Sequence, residues 1–126
     1  MKKILLCLTL AITLGCSKSE EKPDNSGKTL SATYTFSPGA SSAYGGYYDN
    51  VRKQEIGFDN LNSLKNFSDV VRVGDNIKLY MNTVKQPVGN FSIRLTIGGK
   101  LVQEVTAKDG ERNIQLLHKV SDKDFD

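Results

Sequence analysis

From Leu30 onward, apolar and polar residues alternate with a period of two along most of the chain. That period places every second side chain on one face of an extended strand, so it predicts strands with one face buried. Leu30, Ala32, Tyr34 and Phe36 alternate with Thr29, Ser31, Thr33 and Thr35, and Pro38-Gly39 ends the run. Further runs are Ala43 to Tyr48, Gln54 to Phe58 and Phe67 to Val73, the last turned by Gly74-Asp75-Asn76 into a fifth built on Ile77, Leu79 and Met81. After Pro87 and Gly89, Phe91, Ile93, Leu95 and Ile97 form the clearest run. Gly98-Gly99 separates it from Lys100 to Ala107, and Asp109-Gly110 precedes a last run from Arg112 to Val120. Paired glycines between alternating runs suit a two-residue hairpin, because glycine adopts positive φ without steric cost. Asn60 to Asn66 is the one segment read as a helical turn, and Ser121 to Asp126 as a polar tail.

Seven or eight short strands at this spacing, over about 100 residues, predict an all-β fold: a single antiparallel β-sandwich of immunoglobulin-like architecture. The chain has no Trp and only two Cys, so neither the buried Trp nor the bridging disulfide of antibody domains is available.

The first 22 residues follow a different pattern. Met1, Lys2 and Lys3 precede an apolar stretch from Ile4 to Leu14, broken only by Thr9 and Thr13. A basic start, a short apolar run and a small residue at its end make an export signal. The stretch is about half the roughly 20 residues a membrane-spanning helix needs. Thr13-Leu14-Gly15-Cys16 resembles the lipobox of bacterial lipoproteins, in its looser Bacteroidetes form, where cleavage precedes a cysteine that is then acylated. That resemblance implies removal of residues 1–15, lipidation of Cys16 and membrane attachment through the lipid. Glu20-Glu21 resembles the signal that sends such proteins to the cell surface, so the expected location is the outer membrane, on its periplasmic face or at the surface. Residues 17–27 carry no apolar side chain besides Pro23 and read as a flexible tether running from lipidated Cys16, with a domain over 28–120.

Processing changes the charge and the thiol count. The formal net charge of +3 loses Lys2 and Lys3 and becomes +1, with no Lys/Arg stripe of the kind a nucleic-acid partner requires. Cys7 leaves with the signal and Cys16 is consumed by lipid, so the folded part has no disulfide, thiolate metal site or cysteine nucleophile.

Candidate chemistry in the remainder is sparse. His118 is the single histidine and lies in phase with Ile114 and Leu116, as a structural strand residue would. Asp49, Glu55, Asp59, Asp69 and Asp75 are scattered acids. The Asp-Asn pairs at 24–25, 49–50, 59–60 and 75–76 match Asx turn chemistry better than a hydrolytic or calcium site. No catalytic residue, metal site or cofactor is expected. The most unusual stretch is Ala43-Tyr44-Gly45-Gly46-Tyr47-Tyr48. Tyr44, Tyr47 and Tyr48 are candidates for a partner surface, since tyrosine gives rigid amphipathic area to an envelope protein or a glycan. The competing expectation is cross-strand packing, with Tyr44 and Tyr48 on one face, Tyr47 on the other, and Gly46 making room for a neighbouring ring.

Thr33-Tyr34-Thr35, Val73-Gly74-Asp75 with the alternating strand after it, and Ile97-Gly98-Gly99-Lys100 together resemble small exported β-sandwich domains of the MmpS type. Those are membrane-anchored accessory proteins of lipid and siderophore transporters. The resemblance spans most of residues 28–120 and implies the fold and an accessory role, but assigns no functional residue. The expectation is therefore a non-enzymatic, lipid-anchored binding or transport-accessory module. A protein-inhibiting or immunity lipoprotein is the alternative, and a small hydrolase a third.

Overall fold

The computed structural model describes Asn25 and residues 27–126. The signal segment and Cys16 lie outside the described residues. Eight strands form: β1 (Leu30–Ser37), β2 (Ala43–Asp49), β3 (Gln54–Leu61), β4 (Lys65–Val71), β5 (Asn76–Thr83), β6 (Ser92–Ile97), β7 (Lys100–Thr106) and β8 (Asn113–Lys119). They pair antiparallel into two four-stranded sheets, ordered β4-β1-β6-β7 and β3-β2-β5-β8. The expected β-sandwich forms, with the alternating residues of β1, β5 and β6 meeting between the layers. Tyr34, Phe36, Ile77, Leu79, Met81, Ile93, Leu95 and Ile97 are all buried.

An aromatic cluster joins the sheets, with no Trp in the chain and no Cys among the described residues. Phe36 of β1 meets Phe58 of β3 edge-on at 4.9 Å between ring centroids. Phe67 of β4 lies 4.9 Å from Tyr47 of β2 and 5.7 Å from Phe36. Edge-to-face and tilted geometries suit the ring quadrupoles and add to the area these rings bury.

The turns correct part of the expectation. Gly98 and Gly99 close a two-residue hairpin within one sheet, both at positive φ (58° and 80°). Gly74-Asp75 and Asp109-Gly110 bend the chain equally sharply, but each passes it to the other sheet: β4 pairs with β1, not β5, and β7 with β6, not β8. A turn sequence sets the local bend, whereas the buried faces select the partner strand.

The helical turn expected at Asn60–Asn66 does not form. β3 continues through Asn60 to Leu61, and β4 begins at Lys65. Asn60 takes a left-handed conformation at φ 53°. There the register of β3 against β2 slips, with Ala43 opposite Leu61 and Gly45 opposite Phe58. β3 thus carries an extra residue, a bulge at Asp59-Asn60 facing Tyr44. The 121–126 tail is also ordered, with a short 3-10 turn over Asp122–Phe125. Asn25, within the expected tether, is buried, and its amide donates to Asp122 at 3.3 Å. The chain therefore joins the sandwich at the end formed by the start of β1, the 3-10 turn and the β6–β7 hairpin.

Candidate functional site

At the opposite end, the β1–β2 loop, the start of β2, the β3 bulge and the β5–β6 loop enclose an open groove of about 620 Å³. This volume falls in the range of small-molecule sites, roughly 300–1,000 Å³. Its walls are stitched together. Ala40 donates its amide to the Val88 carbonyl at 2.9 Å, the Val88 amide donates to Ser41 Oγ at 3.1 Å, and Thr83 Oγ1 donates to the Ser42 carbonyl at 3.0 Å. Arg112 braces the far wall by donating to the Val84 carbonyl at 2.8 Å. Gly39 permits this closeness, because any side chain there would overlap the Val88 carbonyl oxygen.

The lining mixes an aromatic ring with polar groups: Tyr44, Asp59, Asn60, Thr83, Lys85 and Gln86. Tyr44 is 44% exposed. Among the described residues, the side chains of Asp59, Asn60 and Gln86 have no hydrogen-bond partner and Asp59 and Lys85 no ion pair. These groups are open to a ligand. The bulge makes this arrangement, since a regular β3 would present only every second of these residues outward.

The three tyrosines of β2 separate. Tyr47 points inward at 7% exposure, 5.3 Å from the Tyr34 ring between centroids, and so belongs to the core. Burial and the nearby Asp49 and Asp69 carboxylates raise its pKa. Tyr44 and Tyr48 share the outer face with Tyr80, which pairs with Gly46. A Cβ at Gly46 would overlap the Ile56 carbonyl oxygen and meet the Tyr80 hydroxyl at 2.9 Å, so glycine there makes room first for the backbone of β3 and then for the neighbouring tyrosine. Tyr48 lines a second groove of about 400 Å³ near the end where Asn25 joins the sandwich, beside Glu55 and Lys78, which pair at 3.8 Å.

The remaining candidates have structural employment. Asp69 is 4% exposed, and its Oδ2 accepts from the Tyr34 hydroxyl at 2.7 Å, the Asn50 amide at 3.0 Å and Asn50 Nδ2 at 3.3 Å. That network ties β1 and β4 to the β2–β3 turn. Burial, then the bond to Asp69, pushes the Tyr34 hydroxyl well above the usual phenol range. Asp49 caps its own turn, its Oδ1 accepting from the Val51 and Arg52 amides at 2.9 Å each. Asp75 does likewise, accepting from the Arg72 amide at 2.8 Å. His118 Nε2 lies 3.0 Å from Asp124, whose same oxygen accepts from the Ser121 amide at 2.9 Å. Neither groove is lined by His118. Among the described residues, no three His, Cys, Asp or Glu side chains cluster as metal ligands would, and no helix is long and apolar enough to cross a membrane.

The groove is not written as a unit in the sequence, where Tyr44 and Asp59 stand out only separately. A signal was there: Phe58 and Leu61 are three apart, which breaks the period of two at Asp59-Asn60. The contribution of Lys85 and Gln86 left no such mark, because it depends on where the β5–β6 loop lands. No protein-family model matches the chain, and no curated protein matches it.

Proposed function

We propose that this chain is a lipid-anchored, non-catalytic binding or transport-accessory module of the bacterial outer envelope, attached through Cys16. The observation that carries the reading is the position of the larger groove, at the end of the sandwich away from Asn25 and the chain that leads back to Cys16. Strands of seven or eight residues at about 3.3 Å per residue separate the two ends by roughly 25 Å. A groove so placed faces away from the membrane, toward whatever the module meets. Two or more acyl chains on Cys16 would hold it there stably, as single-chain anchors do not. The resemblance of the hairpin motifs to MmpS-type domains supports an accessory role. The employment of His118, Asp49 and Asp69 in structural hydrogen bonds favours binding over hydrolysis.

Two measurements test this. Cys16→Ala should move the chain from the membrane fraction to the soluble fraction and abolish fatty-acid labelling. A photo-crosslinking residue at Gln86 should capture an envelope component, and one at exposed Leu101, by the anchored end, should not. Membrane retention without Cys16, or equal capture at both positions, refutes the reading.

A further inference from the structure

The groove's chemistry narrows its occupant. Tyr44, 44% exposed, lines one wall, and Asp59, Asn60 and Gln86 add planar groups with unused hydrogen-bonding capacity to the same lining. An aromatic plane ringed by amides and a carboxylate matches a pyranose. The sugar's C–H face packs on the ring, and its adjacent hydroxyls both donate to carboxylate and amide oxygens and accept from amide N–H groups. The lining carries one acid, Asp59, and one base, Lys85, so it favours neither a polyanion nor a polycation. A peptide adding as an extra strand is also disfavoured. β3 is the edge of its sheet, but the bulge at Asp59-Asn60 interrupts its ladder beside the groove. The shape is preset as well: the loop-to-loop hydrogen bonds and Arg112 fix the walls relative to one another.

Resting on the binding-module reading, we infer that this groove is a carbohydrate site that takes a neutral oligosaccharide, stacked on Tyr44 and hydrogen-bonded by Asp59, Asn60 and Gln86. Asn60 is central to the geometry. Its left-handed backbone, which asparagine tolerates better than most side-chain-bearing residues, sits where the bulge turns Asp59 and Asn60 into the groove.

The test is calorimetric titration of the full chain, in detergent micelles, against neutral and uronate-containing oligosaccharides. A neutral member should bind. Tyr44→Ala should weaken it about tenfold or more, a change of about 1.4 kcal/mol, while Tyr44→Phe keeps the stacking plane and stays within about twofold. Gln86→Ala, on a surface loop where folding is not at stake, should weaken binding in the same direction, and Leu117→Ala, on the far strand, should not. Failure of the folded chain to bind any neutral saccharide, preference for the uronates, or indifference to both Tyr44→Ala and Gln86→Ala overturns the inference. If no sugar binds but the crosslinker at Gln86 captures a protein in a Tyr44-dependent manner, the saccharide is wrong and the binding module stands. If Gln86 captures nothing either, both fall.

Discussion

Tyr34 shows how one side chain can serve two layers. Its ring fills the core beside Tyr47, and its hydroxyl completes the donor set around buried Asp69. Tyr34→Phe keeps the ring but leaves a buried carboxylate short of a donor, which should cost about 1–3 kcal/mol in urea unfolding. The same group makes stability depend on alkaline pH. The folded-state pKa of Tyr34 is raised above its unfolded value of 10.0, so the folded chain holds this proton more tightly. Its contribution is complete below pH 10 and is lost as pH rises above that toward the folded-state value. Phenolate absorbance should show Tyr34 titrating only as the domain unfolds, and Tyr34→Phe should flatten the fall in stability above pH 10. Gly45 makes a different demand. A Cβ there would overlap the Tyr80 carbonyl oxygen, a backbone atom that cannot turn aside. Gly45→Ala should destabilise the domain by about 1–3 kcal/mol or more, read from the shift in urea midpoint at constant slope.

Among the elements, the bulge of β3 and the 3-10 turn are the two whose consequences can be isolated. Asn60 sits at φ 53°, where asparagine and glycine are tolerated and a β-branched residue is strained. Asn60→Gly should therefore leave stability nearly unchanged, whereas Asn60→Val should lower it by about 1–2 kcal/mol. Equal losses in the two variants would mean that the asparagine side chain, not its backbone, holds the bulge. The 3-10 turn is secured by Asp124, which serves both the Ser121 amide and His118. Asp124→Ala removes both and should cost about 1 kcal/mol, or roughly 4–8 °C in melting temperature for a domain of this size. In the sequence the bulge left only the three-residue step from Phe58 to Leu61, and the 3-10 turn left no mark. Asp59-Asn60 has the composition of a turn whether the chain turns or bulges there, and the choice falls to the pairing of β3 with β2. The polar tail shows no apolar period because its order rests on Asp122 and Asp124, which meet Asn25, His118 and the Ser121 amide, with Phe125 packed against the core.

For the molecule as a whole, the two sheets are held by aromatic packing and by the Asp69 network, with no cysteine in the described residues. Its thermal unfolding should be the same with and without a reducing agent, and a difference would reveal a covalent link through Cys7 or Cys16. The arrangement also divides labour between the ends. One end collects the incoming chain, the 3-10 turn and the tight Gly98-Gly99 hairpin, and the other carries the longer β1–β2 and β5–β6 loops that wall the groove. Longer loops on a rigid frame are where binding residues commonly stand.

Alternation alone was enough to establish strands, their approximate limits and the sandwich, because the two-residue period is a local property of extended chain and each buried face is written into it. As one of two competing expectations it also set Tyr47 apart from Tyr44 and Tyr48, whereas the other offered all three to a partner. Which strands pair could not be read this way. Gly98-Gly99 and Asp109-Gly110 look alike as turns, yet one closes a hairpin and the other crosses to the opposite sheet, since the partner is chosen by how all the buried faces close together. The groove belongs to that second kind of information. Tyr44, Asp59, Asn60, Lys85 and Gln86 come from three separate segments, and only the closure of the sandwich, with one extra residue in β3, brings them to a common wall.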